Sequence, residues 1–334
     1  MRKDWLVLGG VTVVASLIVV APFLPERAET VAESDRASLT QEDISISVLL
    51  VGDIMLDRGV ATHAREVGDE RLFKGVEKLF AGHDAVIANL EGAITANPSL
   101  SELDNTILRF TFDPTYADLL LQSGFTAVSL ANNHALDFGE FGYDDTRGFL
   151  YTAGVGSFGS PFNDAHIALQ LILKNKKLCM VGYHALFNPD TTSVLSKIKT
   201  IRPQCDHLIL FAHWGEEYQH EPTPKQRESA HAFVDAGVDV VVGAHPHVVE
   251  PLEIYNNHAI FYSLGNFLFD QGFSPQVKRG LAVTIKFSAS STSFTLTPVN
   301  TYKEVSIAGA TTSQAVLADL GVTDPGPFFL NLIY

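Results

Sequence analysis

Cysteine is nearly absent from this chain: Cys179 and Cys205 are the two in 334 residues. Neither stands in a Cys-x-x-Cys pattern, which argues against a thiolate zinc site. They could pair with each other in an oxidising compartment, but spacing alone does not show that their geometry permits it. Positive charge is also scarce, with 23 lysines and arginines against 38 aspartates and glutamates and a net charge of −15. Nucleic acid is therefore not expected as the main partner, because a phosphate backbone needs a basic footprint. An acidic surface gives no bulk attraction to an anionic polymer either. Any anionic substrate must be held by local cations, either a metal or a few arginines and lysines. Apolar residues are plentiful. At 46% hydrophobic and 18% charged, the chain has the balance of a globular protein and the length for one large or two ordinary domains.

Residues 5–24, WLVLGGVTVVASLIVVAPFL, carry no charge and are long enough to cross a bilayer as a helix. Arg2 and Lys3 precede them, which favours a cytoplasmic N-terminus. The alternative is a cleaved signal peptide, but the run exceeds a usual signal core and no convincing A-x-A site follows it. The expected organisation is a single-pass transmembrane anchor (1–25), a polar linker (26–43), an extracytoplasmic folded domain (44–305) and a C-terminal tail (306–334).

From residue 44 short apolar strands alternate with helices, which argues for an α/β domain. Strands are expected at 44–53, 84–92, 125–134, 207–215 and 238–247, with helices near 57–66, 71–81, 114–123, 142–153 and 223–236. Three later strands, 258–267, 280–288 and 293–302, lack intervening helices and are expected to form antiparallel pairs. The tail gives weaker signals, a short helix near 312–320 and a final apolar PFFLNLIY.

All five early strands end in metal-capable residues: Asp53; Asn89 and Glu91; Asn132, Asn133 and His134; His213; His245 and His247. Ligands in α/β sheets gather at the carboxyl ends of strands, so these residues can converge. Each alone has a plain structural alternative. Asp53 could cap a helix, Glu91 and Asn133 could sit in turns, and His213 could be a core histidine. Together they form a mixed oxygen and nitrogen set that suits zinc, manganese or iron. The set is too rich for one four-coordinate structural zinc, and it matches two metals sharing a bridging carboxylate for hydrolytic attack.

GDIMLDRG, NLEG, SLANNHALDFG, HWGEEY, VGAHPH and YSLGNFLFD occur in this order. They resemble the bacterial CapA-type capsule-synthesis family, associated with poly-γ-glutamate, which in turn resembles the calcineurin-like metallophosphoesterases. The resemblance covers roughly residues 46–270. It implies a two-sheet β-sandwich flanked by helices, with a two-metal site at the strand ends. By the same resemblance Asp53 and His247 hold one metal, Asn133, His213 and His245 hold the other, and Glu91 bridges. His134 is the implied general acid. Phosphoesterases commonly place a histidine two residues after the first aspartate, where this chain has Met55. The first metal site therefore lacks a usual nitrogen ligand; two divalent ions are expected, with a single ion as the alternative.

Around these motifs, Arg58 could pin a carboxylate or phosphate or make a surface ion pair. Trp214, Glu216 and Tyr218 could shape the surroundings of His213, and Asn266 could orient a ligand. Lys278 and Arg279 form a local cationic spot. Three functions remain open: a metal-dependent hydrolase or transferase acting on an anionic polymer such as poly-γ-glutamate or on a phosphoester; a non-catalytic partner of the polymer or of a membrane-embedded synthase; and an extracellular phosphatase or nucleotidase.

Overall fold

The computed structural model describes residues 45–104, 106–322 and 329–333. The apolar run 5–24 and the linker lie outside the described residues. Among the described residues no helix is long and apolar enough to cross a membrane.

The chain begins with β1 (Ile46–Ile54), α1 (Arg58–Val67), the one-turn helices α2 (Arg71–Lys74) and α3 (Glu77–Phe80), and β2 (Ala85–Leu90). A short parallel pair, β3 (Ala93–Ile94) and β4 (Thr111–Phe112), precedes α4 (Thr115–Ser123), β5 (Ala127–Ser129), α5 (Gly139–Ala153) and β6 (Gly156–Phe158). Next come β7 (Ala168–Leu173), β8 (Lys176–His184), α6 (Thr192–Ile201), β9 (His207–His213), α7 (Pro224–Asp235) and β10 (Val240–Ala244). The last elements are β11 (Leu252–Tyr255), β12 (His258–Phe261), β13 (Asn266–Leu268), β14 (Arg279–Phe287), β15 (Ser291–Asn300), β16 (Ser306–Ile307), α8 (Ala310–Asp319) and β17 (Phe329–Ile333).

Two mixed sheets result. The first has the order β16-β15-β14-β1-β2-β5-β6, with β13 also on β1 and β17 also on β15. The second has the order β11-β12-β10-β9-β8-β7. Strand alternation assigns the faces. In β1, Ile46, Val48 and Leu50 enter a core shared with Ile209 and Phe211 of β9 and Val240 and Val242 of β10. Leu49 and Val51 point the other way, into a core with Val60 of α1 and Leu120 of α4. In β9, Leu208, Leu210 and Ala212 turn outward to meet Val194 and Ile198 of α6 and Phe233 of α7. The architecture is helices, sheet, sheet, helices, as the resemblance implied.

Three departures from the sequence reading have physical causes. The helix expected over 71–81 breaks at Gly75, where a Cβ would stand 2.3 Å from the Val305 carbonyl oxygen as that backbone passes. The hairpin β7–β8 was not expected. Its strands alternate only partly, and its turn is Lys174-Asn175, both at positive φ. The strand expected over 258–267 is two strands. β12 lies in the second sheet, antiparallel to β11 and parallel to β10, and β13 belongs to the first sheet beside β1. Of the three expected strands only the last two, as β14 and β15, therefore pair antiparallel with each other. The chain crosses between the sheets through Gly265, at φ 67°. Cys179 of β8 and Cys205 form a disulfide.

Glu250, fully buried, accepts a hydrogen bond from Gln226 Nε2 at 2.8 Å, while its Oε1 has no partner. Burial pushes its carboxyl up to about 8. The folded state thus holds a proton that the unfolded chain releases, so stability falls as pH rises from the ordinary carboxyl range through 8. Glu250→Gln should match the wild type in unfolding free energy near pH 4 and exceed it at pH 8 by about 2–4 kcal/mol, as read by urea titration.

Candidate metal centre

Two glycines allow the strands to approach where the polar groups emerge. A Cβ on Gly52 would stand 1.8 Å from the Gly265 carbonyl oxygen, and one on Gly243 would stand 1.8 Å from that of Tyr262. Glycine therefore precedes Asp53 and the Ala-His-Pro-His loop because another backbone passes there. In the first sheet Asp53 pairs in register with Asn266 on one side and Asn89 on the other. In the second, His213 pairs with His184 and Ala244. Beyond β10, His245 and His247 adopt φ of 95° and 58°, uncommon for residues with a side chain. Such outliers persist where the surroundings over-determine them, which is frequent at functional sites.

These strand ends meet. Asp53, Glu91 and His213 each offer a ligand atom within 4.8 Å of the others, and so do Glu217, His245 and His247. Asp53 Oδ2 lies 3.4 Å from His247 Nδ1, and His247 Nε2 lies 3.7 Å from Glu91 Oε1. His213 Nε2 is 2.7 Å from Asn133 Oδ1, and the His213 and His245 rings are 4.7 Å apart between centroids. All six residues assigned to metals by resemblance are thus gathered in one place, and the His247 ring lies between the carboxylates of Asp53 and Glu91, one at each nitrogen. A layer behind them fixes their orientation. Asn89 Nδ2 donates to Asp53 Oδ1 at 2.8 Å, Asn132 Nδ2 donates to Asn89 Oδ1 at 3.1 Å, and Asn266 Oδ1 meets His247 Nδ1 at 2.9 Å.

Burial controls the electrostatics. Glu91 is 1% exposed, and desolvation pushes its carboxyl well above the usual range against the nearby His247. His213 is pushed well down by burial and by the imidazoles around it, and His245 falls to about 3 for the same reasons. Burial would lower His247 too, but Glu91 and Asp53 outweigh it and hold the ring at about 9. The neutral imidazoles of His213 and His245 beside carboxylates form the donor set of a divalent cation, which His247 would join by releasing its proton on metal binding. Glu91 Oε2 and His245 Nδ1 are buried without a hydrogen-bond partner, a costly condition that coordination would relieve. The residues present therefore fit divalent metal.

His134 stands beside this set with its imidazole held. Its Nδ1 meets Asp137 Oδ2 at 2.8 Å, its ring stacks on Phe110 at 4.2 Å, and its Nε2 lies 3.8 Å from Glu91 Oε1. Arg58 is not a free surface cation. Its guanidinium makes a two-point contact with Asp270 and lies 4.9 Å over the Phe110 ring. Arg279 of the cationic spot is paired with Asp319 at 2.7 Å. Trp214 is buried on the outer face of the second sheet, and Glu216 is exposed. Met55 is fully buried, and its sulfur accepts the Asp57 N–H at 3.1 Å.

Three residues escaped the sequence reading. Asp137 follows His134 by three positions in a turn, and that spacing was the available clue. Glu217 was passed over between Glu216 and Tyr218. His184 ends β8 as His213 ends β9, and it was missed because β8 was missed. Its Nδ1 donates to the Pro161 carbonyl at 2.8 Å, leaving Nε2 a buried lone pair with no partner.

A separate cleft of about 640 Å³ includes Asp57, Arg65, Asp69, Glu102 and Asp113 in its lining. Its single arginine is held by Glu102 at 2.7 Å, so the cleft is poorly suited to an anionic ligand.

The family described as bacterial capsule synthesis protein PGA_cap matches residues 47–271. The PGA biosynthesis protein CapA of Bacillus subtilis (strain 168) is 34% identical over 260 residues, 73% of this chain and 68% of that protein. The capsule biosynthesis protein CapA of Bacillus anthracis is 30% identical over 281 residues, 78% and 67% of the respective chains. A Staphylococcus aureus crystal structure in complex with α-ketoglutarate aligns with a TM-score of 0.44 at 13% identity, over 72% of this chain and 51% of that one, too loosely to carry an argument. With the six ordered motifs inside the matched region and two relatives aligned across most of the folded chain, this protein belongs to the bacterial capsule synthesis family PGA_cap.

Proposed function

We propose that this protein is a divalent-metal-dependent hydrolase or transferase of poly-γ-glutamate capsule synthesis, held at the outer face of the cell membrane by residues 5–24. The names of the two CapA relatives support the pathway. The uncharged N-terminal run and the Cys179–Cys205 disulfide support the location, since disulfides persist in oxidising compartments.

The observation that carries the reading is His134: an imidazole held at Nδ1 by Asp137 and presenting Nε2 beside the buried Asp53, Glu91, His213, His245 and His247. Asp53, Glu91, Asn133 and the three histidines would hold one or two ions of manganese, zinc or iron. Divalent ions there supply Lewis acidity and offset charge that develops on the reacting oxygen. The chain's own residues do the rest. Asn89 and Asn266 fix Asp53 and His247. Asp137 sets which nitrogen of His134 is free, and Nε2 gives a proton to the departing amine or alkoxide as water or an acceptor nucleophile bonds to the acyl or phosphoryl group and the bond to the leaving atom breaks.

The test incubates the full chain with poly-γ-glutamate and with a simple phosphomonoester, each with manganese or zinc and with chelator. Metal-dependent shortening or transfer of the γ-glutamyl chain is expected. Turnover of the phosphoester alone would make the protein a phosphatase. Binding of polymer with no bond changed would favour the non-catalytic partner, a reading that the buried Met55 also suits.

A further inference from the structure

Glu217 is not among the six residues that the resemblance assigns to metal. It sits in the exposed segment after β9, one residue before Tyr218. Its carboxylate nevertheless offers an oxygen that lies, with ligand nitrogens of His245 and His247, inside a mutual 4.8 Å. The loop that brings it there is pinned. Trp214 N–H donates to the Ala244 carbonyl at 3.2 Å and Tyr218 N–H to the Pro246 carbonyl at 2.8 Å, so residues 214–218 run beside the histidine loop. Gly215, at φ 85°, makes the turn that allows this, and a Cβ there would press 2.8 Å from the Gln226 amide. Tyr218 takes a left-handed φ of 64°. Its ring stacks on His247 at 5.9 Å, and its hydroxyl accepts from Gln271 Nε2 at 3.1 Å.

Charge points the same way. Glu217 bears on both His247 and Glu91, so its carboxylate adds to those of Asp53 and Glu91 around one imidazole. Arg58 does not answer that charge, because Asp270 engages it. Three carboxylates converging with imidazole nitrogens call for a divalent cation. His245 is 5% exposed and its Nδ1 has no partner, which leaves ligating capacity within the same group.

We propose that Glu217 is itself a metal ligand, forming with His245 and His247 a coordination group at the solvent side of the site, distinct from the buried group of Asp53, Glu91 and His213. This rests on the metal-dependent reading above. It adds that one ion is held partly by a residue on an exposed loop. That ion would be the more exchangeable one and the one approached from solvent.

The test uses the full chain stripped with chelator and titrated with Mn²⁺ alone and with Co²⁺ alone. Binding is read by calorimetry, and the cobalt ligand field by its visible absorption. Variants are Glu217→Ala and, as a control for charge and loop, Glu216→Ala. In Glu217→Ala, affinity at one site should fall at least ~10-fold, in line with losses seen when groups supporting a metal are removed, and the cobalt spectrum should change. The second site should be retained, and Glu216→Ala should match the wild type. Wild-type affinities and an unchanged cobalt spectrum in Glu217→Ala would overturn the assignment while leaving the buried site intact. Equal losses in both variants would reduce Glu217 to a long-range charge and also overturn it. A wild-type chain that binds neither ion would remove this inference together with the reading on which it rests. Both substitutions lie at exposed positions, so folding is not at issue.

Discussion

His134→Ala is expected to lower turnover of γ-glutamyl polymer by ~10²–10⁴-fold, the usual contribution of a positioned general acid, with metal content and thermal midpoint close to the wild type. The expectation follows from how the ring is held. Its Nδ1 is occupied by Asp137, whose Oδ2 also accepts the Phe110 N–H at 2.6 Å. Its backbone N–H is taken by Asn132 Oδ1 at 3.1 Å. The imidazole thus has one nitrogen left for a substrate, and that nitrogen points along the Glu91 side of the site, with 13% of the side chain exposed. Partial exposure is what a proton donor to an incoming polymer needs, and it is also why truncation should not collapse the fold. Asp137→Asn should give a smaller loss in the same direction, because the ring keeps a partner but not its charge. Unchanged turnover in His134→Ala, with the wild type active, would remove His134 from the chemistry and leave the histidine as support for the Phe110 stack.

Asp53→Ala should cost the protein a metal ion and, with all metal chelated, about 3–5 kcal/mol of stability, the penalty of stripping a buried charge of its partner. Asp53 is fully buried. Its Oδ1 accepts from Asn89 Nδ2 at 2.8 Å, and its Oδ2 accepts from the His245 N–H at 3.2 Å and faces His247 Nδ1 at 3.4 Å. Alanine takes the acceptor from the His245 N–H, leaves Asn89 Nδ2 only His213 Nδ1 at 3.3 Å and His247 Nδ1 only Asn266 Oδ1 at 2.9 Å, and removes part of the charge that keeps His247 protonated in the metal-free protein. Two measurements check this, metal per chain by elemental analysis and unfolding free energy by urea titration in chelator. Metal content equal to the wild type would show that Asp53 is structural only. Unchanged chelated stability would show that its neighbours find other partners.

Much of this site is legible in the sequence because strand ends are where an α/β architecture delivers polar groups, and the apolar runs that mark strands are the strongest local pattern. DVVVGAHPH reads as a strand followed by a loop for that reason, and the glycine before it is explained by the Tyr262 backbone lying against Gly243. The hairpin of strands β14 and β15 was legible from alternation and its serine turn. What failed to show in the sequence depends on contacts between distant segments. Gly75 interrupts a helical pattern only because residues 305–306 pass it. HAIFYSLGNF is one apolar run, yet it belongs to two sheets, and that crossing is what sets Asn266 beside Asp53. His184 was hidden because its strand begins with lysines and alternates weakly until it enters the core. Glu217 was hidden because a charged residue on a polar loop looks like any solvated residue until Tyr218 N–H is seen bonded to Pro246.

The central claim is that the strand-end constellation holds divalent metal, and elemental analysis of the purified full chain tests it most directly, with His245→Ala in parallel. The account predicts close to two ions per wild-type chain and fewer in the variant. No bound metal in the wild type, even after reconstitution with manganese, zinc and iron, would contradict it and leave His-Pro-His as a structural loop.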